Sequence, residues 1–111
     1  MLIETLLLGP LMLTAYQSLP EQTDDSPFIT SIGHRTHPYG IAVSQDLLKS
    51  GTVKYGDYLC VEDLGCYVVN DTMNLRHKNA ADIWVANHAQ EKAIPPKMRK
   101  VVRIRGKKLG H

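Results

Sequence analysis

The sequence predicts an all-β fold, a small closed or nearly closed barrel of about six short strands with one or two short helices. Three observations lead there. Short apolar runs rich in β-branched and aromatic residues recur along the chain, as in Cys66-Tyr67-Val68-Val69 and Val101-Val102-Arg103-Ile104. Glycine and proline are spread through the sequence, which suits many short strands joined by turns. The chain has 111 residues, the size of one domain, and enough Val, Ile and Leu for a single core.

Charge narrows the function classes. The formal net charge is only +2, and no aromatic residues interleave with the basic ones, so a nucleic-acid surface has little support. No internal repeat or low-complexity segment is visible.

Taken in order, residues 6–15 form an apolar run of signal-peptide length. The segment before it carries Glu4 and no Lys or Arg, which is wrong for a secretory signal. The run is too short to span a membrane as a helix, and Gly9-Pro10 interrupts it. The favoured reading is a lead-in over residues 1–10 and a first strand from about 11 to 17. An uncleaved membrane-interacting segment is the alternative. Residues 18–39 read as a long loop with a brief strand at Phe28-Ile29-Thr30. Within it, His34 and His37 have a spacing that holds a metal on a helix, but Gly33 and Pro38 argue against a helix, so two exposed loop histidines are expected.

Residues 40–44 are the next strand. Residues 45–50 suit one helical turn, with Ser44 as N-cap and Gly51 as the stop. A turn region at 52–57 leads to a strand at 58–62. Asp63-Leu64-Gly65 then turns the chain into the strand at 66–69, making a hairpin. Residues 70–80 are polar and basic and read as a loop, and Ile83-Trp84-Val85 as a strand. Residues 86–93 are helix-prone, Pro95-Pro96 breaks the chain, and 101–104 is the last strand. The expected organisation is a barrel over residues 11–105 followed by a basic tail at 106–111.

The stretch from 65 to 85 carries the chemistry. Asp71 and Asp82 stand at the two strand–loop junctions. If the loop sets the strands side by side, the carboxylates converge at one rim of a sheet. Two close carboxylates cannot both ionise cheaply, and a neutral acid beside an ionised one serves acid-catalysed cleavage. The plainer reading is that each aspartate caps its own turn. Cys60 and Cys66 flank the hairpin turn; a disulfide across the hairpin and two buried thiols are both open. Trp84, beside Asp82, suits the core better than a sugar platform. The basic stripe from Lys97 to Lys108 reads as a solvated edge strand.

A resemblance adds to this. Thr14-Ala15-Tyr16, then Thr23-Asp24-Asp25-Ser26-Pro27-Phe28-Ile29-Thr30-Ser31-Ile32-Gly33, then Ile41-Ala42-Val43-Ser44-Gln45-Asp46-Leu47-Leu48 follow one another in order. The blocks Val69-Asn70-Asp71-Thr72 and Lys78-Asn79-Ala80-Ala81-Asp82-Ile83-Trp84 complete the pattern. In order and spacing these blocks resemble the three-aspartate (3D) domain family over about residues 11–104.

That resemblance implies a six-stranded double-psi β-barrel similar to the catalytic barrel of membrane-bound lytic transglycosylase A. The implied activity is lytic transglycosylase cleavage of the β-1,4 bond between N-acetylmuramic acid and N-acetylglucosamine in peptidoglycan. The sugar's own 6-hydroxyl attacks, leaving a 1,6-anhydro end. Asp82 is then the acid and base, and Asp71 holds Asp82 or orients the sugar. Ser44, Asp46, Thr30, Thr72, Lys78 and Asn79 are the implied substrate contacts. Ser44 stands where the family has its first aspartate, and Met73-Asn74 where it has a glycine pair. No cofactor and no metal are implied. The expected partner is the peptidoglycan glycan strand, met by a monomer at the periplasm or cell envelope, with no nucleic acid and no stable membrane span. The basic stripe would favour anionic cell-wall polymers. The alternatives are a non-catalytic carbohydrate-binding barrel, a muramidase-type hydrolase, and a structural barrel in a larger assembly.

Overall fold

Leu11, Leu13, Ile41, Val43, Leu59, Val69, Ile83 and Val101 are each almost fully buried and meet in one apolar cluster. Along each strand they alternate with residues on the other face, the period of two that a β-strand imposes. A computed structural model of the protein describes residues 2–17 and 39–107. Six strands, β1 (Leu2–Gln17), β2 (Gly40–Val43), β3 (Tyr58–Val61), β4 (Gly65–Thr72), β5 (Ala80–Val85) and β6 (Lys97–Lys107), enclose this core. The helices are α1 (Gln45–Lys49) and α2 (His88–Lys92). The strands close into a barrel in the order β1-β5-β2-β4-β3-β6. β1 with β5 and β2 with β4 are parallel; the other pairs are antiparallel. The expected fold class, a six-stranded all-β barrel with two short helices, is the one observed. Among the described residues no helix is long and apolar enough to cross a membrane.

The first strand departs from expectation. Residues 2–10 are strand rather than lead-in, paired with the second half of β6. Leu6-Leu7-Leu8 does not alternate with polar residues, so the run carries no strand period. Gly9, at φ +81°, sits where the β1/β6 register shifts, and only glycine takes that conformation cheaply.

β6 also runs further than its apolar stretch. Arg99 and Arg103 are buried within it. Arg103 donates to Glu4 Oε1 on β1 and, at 2.8 Å, to the Thr52 carbonyl. Arg105 grips the buried Asp57 through two bonds of 2.8 and 2.7 Å. Burial would raise the Asp57 carboxyl, but the Arg105 hydrogen bond and the Lys54 backbone N–H hold it below the usual carboxylate range. Much of the basic stripe is therefore internal wiring rather than a solvated edge. Periodicity hid this because charged residues at inward positions read as polar. Of the expected tail, Gly106 and Lys107 continue β6, and residues 108–111 lie outside the described residues.

Cys60 and Cys66 face each other across the β3–β4 hairpin and are bridged, with Cα atoms 3.9 Å apart. The bridge closes a short loop, since its cysteines are 6 residues apart. Loop-closure entropy then assigns it about 2 kcal/mol. Two outcomes are expected: no thiol should react with a labelling reagent in denatured, non-reduced protein, and reduction should lower the unfolding free energy in urea by about 2 kcal/mol.

Candidate functional site

β5 lies between β1 and β2, so each of its residues has a neighbour on both sides. Asp82 is opposite Thr14 on β1 and Ala42 on β2. Ala81, Ile83 and Val85 point into the core, which turns Asp82 and Trp84 to the outer face. Leu11 and Leu13 do the same for Thr14 and Tyr16, and Tyr16 pairs with Trp84.

One irregularity brings in the second aspartate. Ile41 pairs with Val69, but the next residue of β2, Ala42, pairs with Asp71. β4 thus carries one extra residue, Asn70, at this bulge. In a regular ladder Asn70 would sit opposite Ala42, and Asp71 would fall level with Val43, whose side chain is in the core. The bulge instead sets Thr14, Asp82, Ala42 and Asp71 in one row across four strands. Asp71 and Asp82 are two strands apart, roughly 10 Å between backbones. Ala42, on the strand between them, pairs with both.

Asn70 itself is 5 % exposed, and neither polar atom of its side chain has a hydrogen-bond partner among the described residues. It lies over Gly40, where a Cβ would come within 2.7 Å of Asn70 Nδ2. A side chain at position 40 would have to push the Asn70 amide aside.

The Asp82 carboxyl accepts a 2.7 Å hydrogen bond from Thr14 Oγ1. Its pKa is pushed up to about 6, first by burial, then by the charges of Glu91 and Asp71, while the Thr14 bond pulls the other way. The sequence argument expected a close carboxylate pair to do this. Burial is the larger cause, and Glu91 on α2 acts more strongly than Asp71. Such a carboxyl exchanges protons near neutral pH, the property a general acid and base needs. Asp71 Oδ1 accepts the backbone N–H of Thr72 at 2.8 Å.

Thr14, Tyr16 and Glu91 were not singled out from the sequence as site residues. The Tyr16 hydroxyl is buried with no hydrogen-bond partner among the described residues. Burial, then the charges of Asp71 and Asp82, push its pKa up, so the phenol stays neutral and able to donate. The alternation Leu11-Met12-Leu13-Thr14-Ala15-Tyr16 marks Thr14 and Tyr16 as outward-facing. Nothing in it marks β5 as their neighbour, because Thr14 and Asp82 are 68 positions apart.

The remaining expected contacts divide. Ser44 is fully buried; its Oγ accepts the Ala80 N–H at 3.1 Å, and its own N–H donates to the Ala80 carbonyl at 2.9 Å. Through these two bonds it ties the start of β5 to the start of α1. Asp46 Oδ2 accepts the Asn79 N–H at 3.1 Å. Burial would raise this carboxyl, but hydrogen bonds from Ser44 and Asn79 hold it below the usual range. Asn79, at φ 45°, ends the loop after β4 and accepts the Met12 N–H through its carbonyl. Thr72 donates to the Val43 carbonyl at 3.0 Å. Lys78 is exposed on the same loop. Thr30, His34 and His37 lie outside the described residues. Among the described residues no group of His, Cys, Asp and Glu has the arrangement of a metal site.

Two predictions follow from these environments. An unfolded aspartate titrates near 4, whereas Asp82 in the fold titrates at about 6. The ionised form is therefore the disfavoured one: the penalty is absent below pH 4, grows between the two values and is complete above pH 6. Asp82→Asn should raise the unfolding free energy at pH 7 by roughly 1–3 kcal/mol and leave it nearly unchanged at pH 4, read from urea melts at both values. Ser44→Asp buries a carboxylate where no space is exposed and should destabilise by about 3 kcal/mol or more, seen as a lowered Tm. In comparisons with known proteins, no family model and no curated sequence matched the chain.

Proposed function

We propose that the protein cleaves peptidoglycan glycan strands as a lytic transglycosylase, with Asp82 as the single acid and base. The observation that carries this reading is the Asp82 carboxyl itself, partly buried, held by the Thr14 hydroxyl and titrating at about 6. Protonated Asp82 gives its proton to the glycosidic oxygen as the C1–O bond breaks. The resulting carboxylate takes the proton of the 6-hydroxyl of the same sugar as that oxygen bonds to C1. The product is a 1,6-anhydro ring, and no second carboxylate is required to direct a water. Asp71, across Ala42, supplies negative charge toward the cationic transition state.

Further support comes from the blocks that resemble the three-aspartate domain and from two parallel strand pairs compatible with a double-psi barrel. The Cys60–Cys66 bridge suits an oxidising site of action such as the periplasm or cell envelope. A second reading, a carbohydrate-binding barrel without catalysis, is favoured by one observation: Ser44, at the family's first aspartate position, is buried and serves the fold.

The test is digestion of purified peptidoglycan followed by mass analysis. Wild type should release fragments with anhydro ends and no new reducing ends. Asp82→Asn should lower turnover by about a hundred to ten thousand times while leaving binding to insoluble peptidoglycan in place. Asp71→Asn should cost less. Binding without release of fragments would discard the enzyme in favour of the binding module, and reducing-end products would make it a hydrolase.

A further inference from the structure

Beside Asp82, on the side away from Asp71, a cleft of about 290 Å³ opens between the end of β1 and the segment from α2 to β6. Thr14, Glu91, Lys92, Ile94, Pro95 and Pro96 line it. We propose that this cleft is a subsite for one neutral sugar ring of the glycan, with Glu91 as its hydrogen-bond acceptor. The inference rests on the glycan-cleaving reading of Asp82 and adds where the next ring sits.

Four observations carry it. The first is continuity: Thr14 lines the cleft and also donates to Asp82 Oδ1, so a ring seated here lies one side chain from the carboxyl. Size is the second. The volume falls at the lower end of small-molecule sites, suited to a single ring rather than a drug-sized ligand. The third is chemistry. Ile94, Pro95 and Pro96 form an apolar wall for the C–H face of a sugar, and the two prolines hold that wall rigid. Gln17 Nε2 donates to Glu91 Oε1 at 2.6 Å, which fixes the carboxylate while leaving it further lone pairs for ligand hydroxyls. The fourth is charge balance. One residue of each charge, Glu91 and Lys92, lines the cleft, a balance that favours a neutral polyhydroxylated ring over a cation or an anion. Glu91 also bears on the acid directly, since its charge contributes to the raised Asp82 pKa.

The test is titration of the Asp82→Asn protein with a β-1,4-linked N-acetylglucosamine tetramer, followed by amide NMR and calorimetry. Shifts are expected at Thr14, Glu91 and Ile94. Glu91→Ala in the same background should weaken binding about tenfold or more, as loss of a hydrogen bond to a charged group does. Glu91→Gln, which keeps an acceptor for Gln17, should fall between and serves if the alanine variant fails to fold. Binding by both Glu91 variants within twofold of the parent, or shifts confined to other residues, would overturn the subsite. Tighter binding of the de-acetylated, amine-bearing tetramer, lost with Glu91, would make the cleft a cation site and equally overturn it. The two readings separate cleanly. Tetramer binding at the cleft by a wild type that cleaves nothing keeps the subsite and rejects the enzyme. Cleavage unaffected by either Glu91 variant keeps the enzyme and rejects the subsite. A protein that neither binds nor cleaves rejects both.

Discussion

β1 pairs in parallel with β5 from Met12 to Gln17, and this pairing both closes the barrel and assembles the candidate site. Parallel strands cannot be joined by a tight turn; the chain must leave and come back. Here it passes through β2, β3 and β4 before β5 returns alongside β1. Thr14 and Tyr16 come from the first strand and Asp82 from the fifth. The hydroxyl that holds the acid therefore exists as a partner only once the barrel is shut. Closure also brings β6 against β1, where the arginines of β6 meet Glu4 on β1, and Asp57 and Thr52 ahead of β3.

A second geometric event, the bulge at Asn70, chooses which face Asp71 occupies. A shift of one residue in a strand moves a side chain from core to surface. The extra residue in β4 does this locally and leaves the strand otherwise in register with β2 and β3. The extra residue, Asn70, is buried close over Gly40, and its side chain has no hydrogen-bond partner among the described residues.

The acid illustrates the same tension. Two carboxylates across a sheet, separated by a third strand, interact weakly through the protein. Withdrawal from water acts on a carboxyl directly and more strongly. Asp82 is tuned mostly by where it is buried, and Glu91, arriving from the helix after β5, adds more than Asp71 does across the sheet. A carboxyl kept part-protonated in this way destabilises the fold near neutral pH. The core cluster, the hairpin disulfide and the ion pairs of β6 offset that penalty.

Much of this molecule was legible in its residues. Short β-branched runs and intervening turns imposed an all-β barrel, and the two helical segments lay where Ser44 and Gly51 bound one and Pro95-Pro96 follows the other. Asp71 and Asp82 were recognisable as the candidate pair because each lies near a change between an apolar run and the polar loop, although β4 continues to Thr72 and β5 already opens at Ala80. Other features were hidden. The first half of β1 lacks alternation, and the charged positions of β6 look solvated until Glu4 and Asp57 are seen beside them. Ser44 reads as a cap or a ligand contact, yet it holds β5 through Ala80. Thr14, Tyr16 and Glu91 join Asp82 only through pairings between strands and a helix remote in sequence. Local sequence determined which segments become strands, because side-chain period and turn chemistry act over a few residues. Tertiary structure alone decided which strands became neighbours, which face each aspartate took and how far Asp82 is withdrawn from water, because register, bulges and burial are set by partners far along the chain.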